Sequence, residues 1–131
     1  MIDENLYNYL DADVSLTAIV GDRVYPRYGM PAAPTYGLIT YEAESHNFSN
    51  TYGGNSGFVR SDYLVDAWSE DHADSLTLSD AIRTSLKNLT GSFGGINVMQ
   101  IFITSGPITV FEDSVEAFRT TQIFSIWHNE G

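Results

Sequence analysis

Between Phe58 and Leu89 the hydrophobic rhythm changes once, and that change constrains the fold more than any other feature of the chain. From Phe58 to Trp68 the residues alternate, with Val59, Tyr63, Val65 and Ala67 on one face and Arg60, Asp62 and Asp66 on the other. A period of two marks a strand with one covered face. Ser69 to Asp74 follows at once and is polar and acidic, which suits a helix N-terminus both for capping and for the macrodipole. Leu78, Ile82, Leu86 and Leu89 then recur at helical spacing until Gly91 stops the run. A strand that passes directly into an amphipathic helix must let that helix fold back over its apolar side.

The remaining segments extend the same plan. Ile2, Leu6 and Leu10 make one stripe of a short amphipathic helix, with Tyr9 beside it. Asp13 caps a second short helix whose apolar face is Leu16, Ile19 and Val20, and Gly21 sits where a C′ residue belongs. Val24 and Tyr25 begin an extended piece, and Pro26, Pro31 and Pro34 make the next residues a stiff, non-helical connector. Tyr36 to Tyr41 reads as a strand running on towards Phe48. Asn50 to Gly57 reads as a mobile hairpin tip. Ile96 to Thr104 is a further strand, Gly106-Pro107 an irregularity, and Ile108 to Phe111 either its continuation or a separate piece. After a turn at Glu112 to Ser114, a last strand from Glu116 to Trp127 carries Phe118, Phe124 and Ile126 on one face. Hairpin-length connections favour an antiparallel sheet with helices packed on one face, an α+β fold, and the 131 residues predict a single domain spanning 1–131.

Composition narrows the function. The 17 acids outnumber six bases, for a formal net charge of -11, and phosphate neutralisation needs clustered Lys and Arg, so specific DNA or RNA binding is disfavoured. The same charge opposes docking on anionic lipid, and no apolar run approaches a membrane span. The N-terminus lacks the pattern of a secretory signal, so a cytoplasmic site of synthesis is expected. With no cysteine, thiolate catalysis, cysteine-ligated zinc and disulfides are excluded.

The search for chemistry finds no owner for a reaction. His46, His72 and His128 lie in three different segments without the i+4 partner of a helical metal pair; His46 has Glu42 and Glu44 on its own strand, and His128 is expected in solvent. Glu70, Asp71 and Asp74 read as first-turn acids of a helix. Glu112, Asp113 and Glu116 lack the ligand order of a calcium loop and read as a polar turn. Gly53-Gly54-Asn55-Ser56-Gly57 is not a nucleophile elbow, and no phosphate-cradling Gly-Lys loop occurs. Neither a cofactor nor a metal is expected.

Aromatic residues form 13% of the chain, and several lie outside the core faces, which makes them interface candidates. Tyr25, Tyr28 and Tyr52 stand in loops or at element edges, where tyrosine offers area, little rotamer entropy and a hydrogen-bonding tip. Arg27 in the connector and the turn acids Glu112, Asp113 and Glu116 complete the candidate interface set. A competing reading is a small α+β ligand-binding or enzymatic domain, its pocket between sheet and helices and His46, Asp62 and Asp66 as polar participants.

Three stretches taken in order resemble the phage tail completion family, also described as tail terminators or tail-to-head joining proteins. The first is Leu16-Thr17-Ala18-Ile19-Val20-Gly21-Asp22-Arg23-Val24-Tyr25-Pro26, leading through a Pro-rich connector to Pro34-Thr35-Tyr36. Val65-Asp66-Ala67-Trp68, passing into the helix that holds Asp80-Ala81-Ile82, is the second. Phe118-Arg119 with the closing Phe124-Ser125-Ile126-Trp127 is the third. Gln122-Ile123 stands where the family carries an acid, and Gly37 where it carries a bulkier residue. The resemblance implies an α+β subunit of the virion that forms a homo-hexameric ring at the head–tail junction. Such a ring ends the growth of the tail tube protein and docks on the head connector or neck proteins. DNA passes through it without specific binding, and no catalytic residue comes with the family. Another neck ring, a connector or a stopper, is the neighbouring alternative.

Overall fold

The computed structural model describes residues 2–29, 31–32, 34–51, 54–87, 91–93 and 96–129. The elements run α1 (Ile2–Ala12), α2 (Val14–Val20), β1 (Val24–Pro26), a 3₁₀ turn (Arg27–Gly29), β2 (Leu38–Thr51), β3 (Gly54–Ser69), α3 (His72–Lys87), β4 (Gly91–Phe93), β5 (Ile96–Glu112) and β6 (Ala117–Asn129). The strands form one six-stranded sheet in the order β1-β2-β3-β6-β5-β4. The α+β architecture expected from the sequence is present. The sheet is antiparallel except at one edge, where β1 lies parallel to β2 through Val24↔Ile39 and Pro26↔Tyr41. The Pro-rich connector causes this departure: it returns the chain so that β2 re-enters in the direction of β1.

Local chemistry sets the element ends. Asp13 has an extended backbone, and its Oδ1 accepts the amides of Ser15 and Leu16 at 2.9 and 3.1 Å, capping α2. Gly21 closes that helix with φ 62°, and its N–H donates to the Thr17 carbonyl. Asp71 starts α3 by accepting the Ala73 amide on Oδ1 at 2.8 Å. Each cap satisfies donors that a helix end leaves without partners.

The alternation read in β3 is the layer boundary. Val59, Tyr63, Val65 and Ala67 are buried towards the helices, and register puts Tyr63 opposite Phe124 and Ser61 opposite Ile126 on β6. Leu78, Ile82 and Leu86 of α3, Leu6 and Leu10 of α1, and Leu16 and Val20 of α2 close over them. Ile19 does not join this core; it remains 41% exposed, because a two-turn helix turns only a narrow stripe inward. Polar bonds also fasten α3 to β6: the Gln122 amide donates to the Ser79 carbonyl at 2.9 Å and Thr120 Oγ1 to Ser75 Oγ at 3.1 Å.

β5 continues through Gly106-Pro107 to Glu112, so Ile108 to Phe111 is its second half and the turn begins only at Asp113. Register shifts mark the irregularity between Ser105 and Ile108. Gly106 has φ +91°, and a Cβ there would sit 2.4 Å from the Thr121 carbonyl oxygen, so glycine is required by close approach as well as by backbone conformation. The β2–β3 hairpin is longer than its composition suggested, pairing on to Asn50↔Asn55 and Thr51↔Gly54. Among the described residues no helix is long and apolar enough to cross a membrane.

Candidate interaction surfaces

The sheet face turned away from the helices carries the acids that the competing enzymatic reading needed. Asp62 accepts Ser45 Oγ from β2 at 3.0 Å and Ser125 Oγ from β6 at 2.5 Å. Asp66 accepts Thr40 Oγ1 at 3.2 Å and Thr121 Oγ1 at 2.6 Å, again one from each neighbouring strand. Trp68 Nε1 donates to Thr40 Oγ1 at 3.0 Å. Asp66 lies on the face its place in the alternation predicts, and it is only 1% exposed. Both carboxylates are clasped by hydroxyls on either side, so they act as cross-strand pins holding β2, β3 and β6 in register.

The histidines are arranged differently from their spacing in sequence. His128, expected in solvent, is 4% exposed, because Val59↔His128 places it on the covered side of the sheet. Ser61 Oγ lies 2.7 Å from His128 Nε2 and 2.8 Å from His46 Nδ1. His128 Nδ1 meets the Asn129 carbonyl at 2.5 Å and therefore carries the proton that donates to it. Nε2 is left to accept from Ser61, which in turn accepts from His46. Burial lowers the pKa of His128, the hydrogen bond to Asn129 works against that, and the nearby His46 adds to the lowering. Ser61 has a base at hydrogen-bonding distance, yet it is 0% exposed, so no substrate reaches it. Strand pairing across β2, β3 and β6 built this trio, and nothing in the local sequence signalled it.

Several hollows indent the described surface. A groove of about 600 Å³ on the open face is lined by Glu44, Ser45, Arg60, Asp62, Thr104, Ser105, Ile123 and Ser125. One of about 570 Å³ lies at the helix seam between Tyr9, Asp13, Ser15, Asp80, Ala81, Thr84 and Ser85. A smaller one of about 300 Å³ separates α3 from β5. His46, Asp62 and Asp66 do not share any of them. Among the described residues no group of three or more His, Asp or Glu is placed to hold a metal ion.

The interface candidates fall into unlike settings. Tyr25 is half-buried on β1, and the Arg27 guanidinium pairs with Glu42 at 2.7 Å. Only the backbone of Tyr28, in the 3₁₀ turn, is described, and Tyr52 lies outside the described residues. Glu112 is not a turn residue but the last of β5, paired with Arg119 at 2.8 Å. Asp113 and Glu116 are exposed in the turn, where Glu116 takes φ 51°. The three acids therefore do not form one carboxylate cluster.

A surface that periodicity did not single out lies along β5. Of the large apolar residues that remain exposed, Phe102, Ile103, Ile108, Val110 and Phe111 are on this strand and Val115 is in the turn after it. From Asn88 to Phe111 the sequence has no charged residue at all. Beyond its short pairing with β4 at Ile96 to Val98, β5 has no strand on its outer side among the described residues. A long, apolar, uncharged edge is the kind of surface that marks association. The sequence signal was there as a missing charge rather than as a pattern of hydrophobes.

No family model matches the sequence, and no curated protein matches it. Among solved structures, the fold is similar to a chain described as part of the virion of a native gene transfer agent particle. The two superpose with a TM-score of 0.77 over 95% of this chain and 91% of that one, at 16% sequence identity. At that identity the likeness is one of fold.

Proposed function

We propose that this chain is a structural virion protein of a phage-like particle. In this reading its copies form a ring, a hexamer by the resemblance, at the head–tail junction. The ring ends the tail tube and presents a docking surface to the head connector, and its work is association without a bond-making step. The observation that carries the reading is the fold shared over nearly the full length with a chain of a gene transfer agent virion. Two features of the molecule support it: Ser61, which lies between two histidines, is sealed from solvent, and an uncharged apolar strand is left open.

A ring around a DNA channel must let phosphate slide past. With a net charge of -11 per copy, acids at the lumen would repel the duplex rather than hold it. Asp113 and Glu116 are our candidates for the channel or for an adjoining ring, with Glu112 held back by Arg119. Tyr25, Tyr28 and Tyr52 remain candidates for protein–protein contacts, those between copies of this chain included.

Negative-stain imaging and mass measurement of the purified chain, alone and mixed with tail tubes, test the proposal. Rings of one size that cap tube ends are the expected result. Tubes that end and join heads normally when the chain is missing would overturn it. So would turnover of a small molecule that disappears with one polar side chain.

A further inference from the structure

The 300 Å³ hollow beside α3 has a floor of Ile101, Phe102, Ile103 and Phe124, and Arg83 and Lys87 stand at its rim. These are two of only six bases in the chain. Arg83 pairs with Asp80 at 2.8 Å, and Lys87, the last residue of α3, makes no ion pair among the described residues. An apolar floor with a cationic rim selects an apolar side chain flanked by acids.

The molecule carries such a feature on its other flank. Val14, the first residue of α2, is 81% exposed, more than any other large hydrophobic residue described, and Ile19 on the same helix is 41% exposed. Acids surround them: Asp11 lies in the last turn of α1, Asp13 caps α2, and Asp22 follows its C-terminus. The two features face apart. Asp13 Oδ2 accepts Ser85 Oγ at 2.6 Å and the Tyr9 hydroxyl donates to the Ser85 carbonyl at 2.7 Å, so α1 and α2 lie along one flank of α3. Arg83 and Lys87 line the hollow with β5 along the other. The sheet agrees, because α1 packs against β1 at one end of the strand order while β5 lies near the opposite end.

We infer that the α1–α2 corner of one copy, led by Val14, docks into the α3–β5 hollow of the next copy. Charge argues for a second copy as the occupant. Two chains of -11 repel over most of their surfaces, and close approach needs a face that sets bases against acids. A knob on one flank and a groove on the other make a heterologous contact, which closes into a ring when the rotation between copies permits. This deepens the ring reading above and rests on it.

Because the chain has no cysteine, introduced pairs report the contact cleanly. A chain with Val14→Cys and Ile103→Cys should oxidise to a ladder of linked copies, while either single variant should stay unlinked. Efficient dimers from Val14→Cys alone would mean like-to-like contact and overturn the inference. Val14→Glu and Lys87→Glu should each weaken association by about tenfold or more, with circular dichroism unchanged, and Asp11→Lys should restore it in the Lys87→Glu chain. Rings that persist undiminished in Val14→Glu would overturn this docking and leave the ring reading standing. A wild-type chain that is monomeric at every concentration and on tube ends, with no ladder from the paired cysteines, would overturn both.

Discussion

The two faces of β5 and β6 near α3 hold similar residues with opposite fates. Phe124 and Ile126 on β6 are 1% and 0% exposed beneath α3. Phe102 and Ile108 on β5, one strand further out, are 46% and 57% exposed. Hydrophobicity does not distinguish them. The face of the sheet does: Phe102 pairs with Ser125 and Ile108 with Thr121, whose hydroxyls bond Asp62 and Asp66 on the side turned away from the helices. The difference teaches that apolar residues on the sheet serve two purposes, stabilising the subunit on the face the helices cover and remaining available for association on the face they leave open.

Mutations should separate these purposes. Phe124→Ala removes a fully buried ring and is expected to cost about 3–5 kcal/mol, read from the urea midpoint. Asp66→Ala comes next, at about 1–3 kcal/mol, because it leaves the Thr40 and Thr121 hydroxyls without their acceptor in a nearly dry site.

A smaller effect should follow pH. His128 has a folded pKa below the ordinary 6.5, so the unfolded chain takes up the proton first. The contribution to stability is complete above 6.5 and declines as pH falls through the lowered folded value. Denaturation midpoints at pH 7.5 and 5.5 should therefore drop on acidification, and His128→Gln should flatten that drop. An equal drop in the variant would break the link to this residue.

Ile108→Ser should give the least change in stability, within about 0.5 kcal/mol of wild type. A loss comparable to that of Phe124→Ala would show that the β5 surface belongs to the subunit's core after all, and the contrast drawn between the two strands would fail.

Much of the fold was legible because it depends on near neighbours in the chain. Alternation in β3, the cap at Asp13 and the Leu78, Ile82, Leu86 stripe are local spacings that the backbone converts directly into faces and ends. The errors share a cause as well. His128 was read as solvated from its place near the chain end, but strand pairing sets it between Val59 of β3 and Val98 of β5, where it is buried. Glu112 looked like a member of an acidic turn until Arg119, diagonal to it across the β5–β6 pairing, took its charge.

Sequence alone determined the α+β plan, the excess of acid and the lack of thiol chemistry, because each follows from residue types and their local spacing. Only the tertiary structure decided that Ser61 sits sealed between two histidines, that Asp62 and Asp66 are clasped, and that an acid-flanked valine and a base-rimmed hollow lie on opposite flanks of α3. Those outcomes depend on which strands become neighbours and where the helix layer ends, and contacts between residues far apart in the chain leave no periodic trace along it.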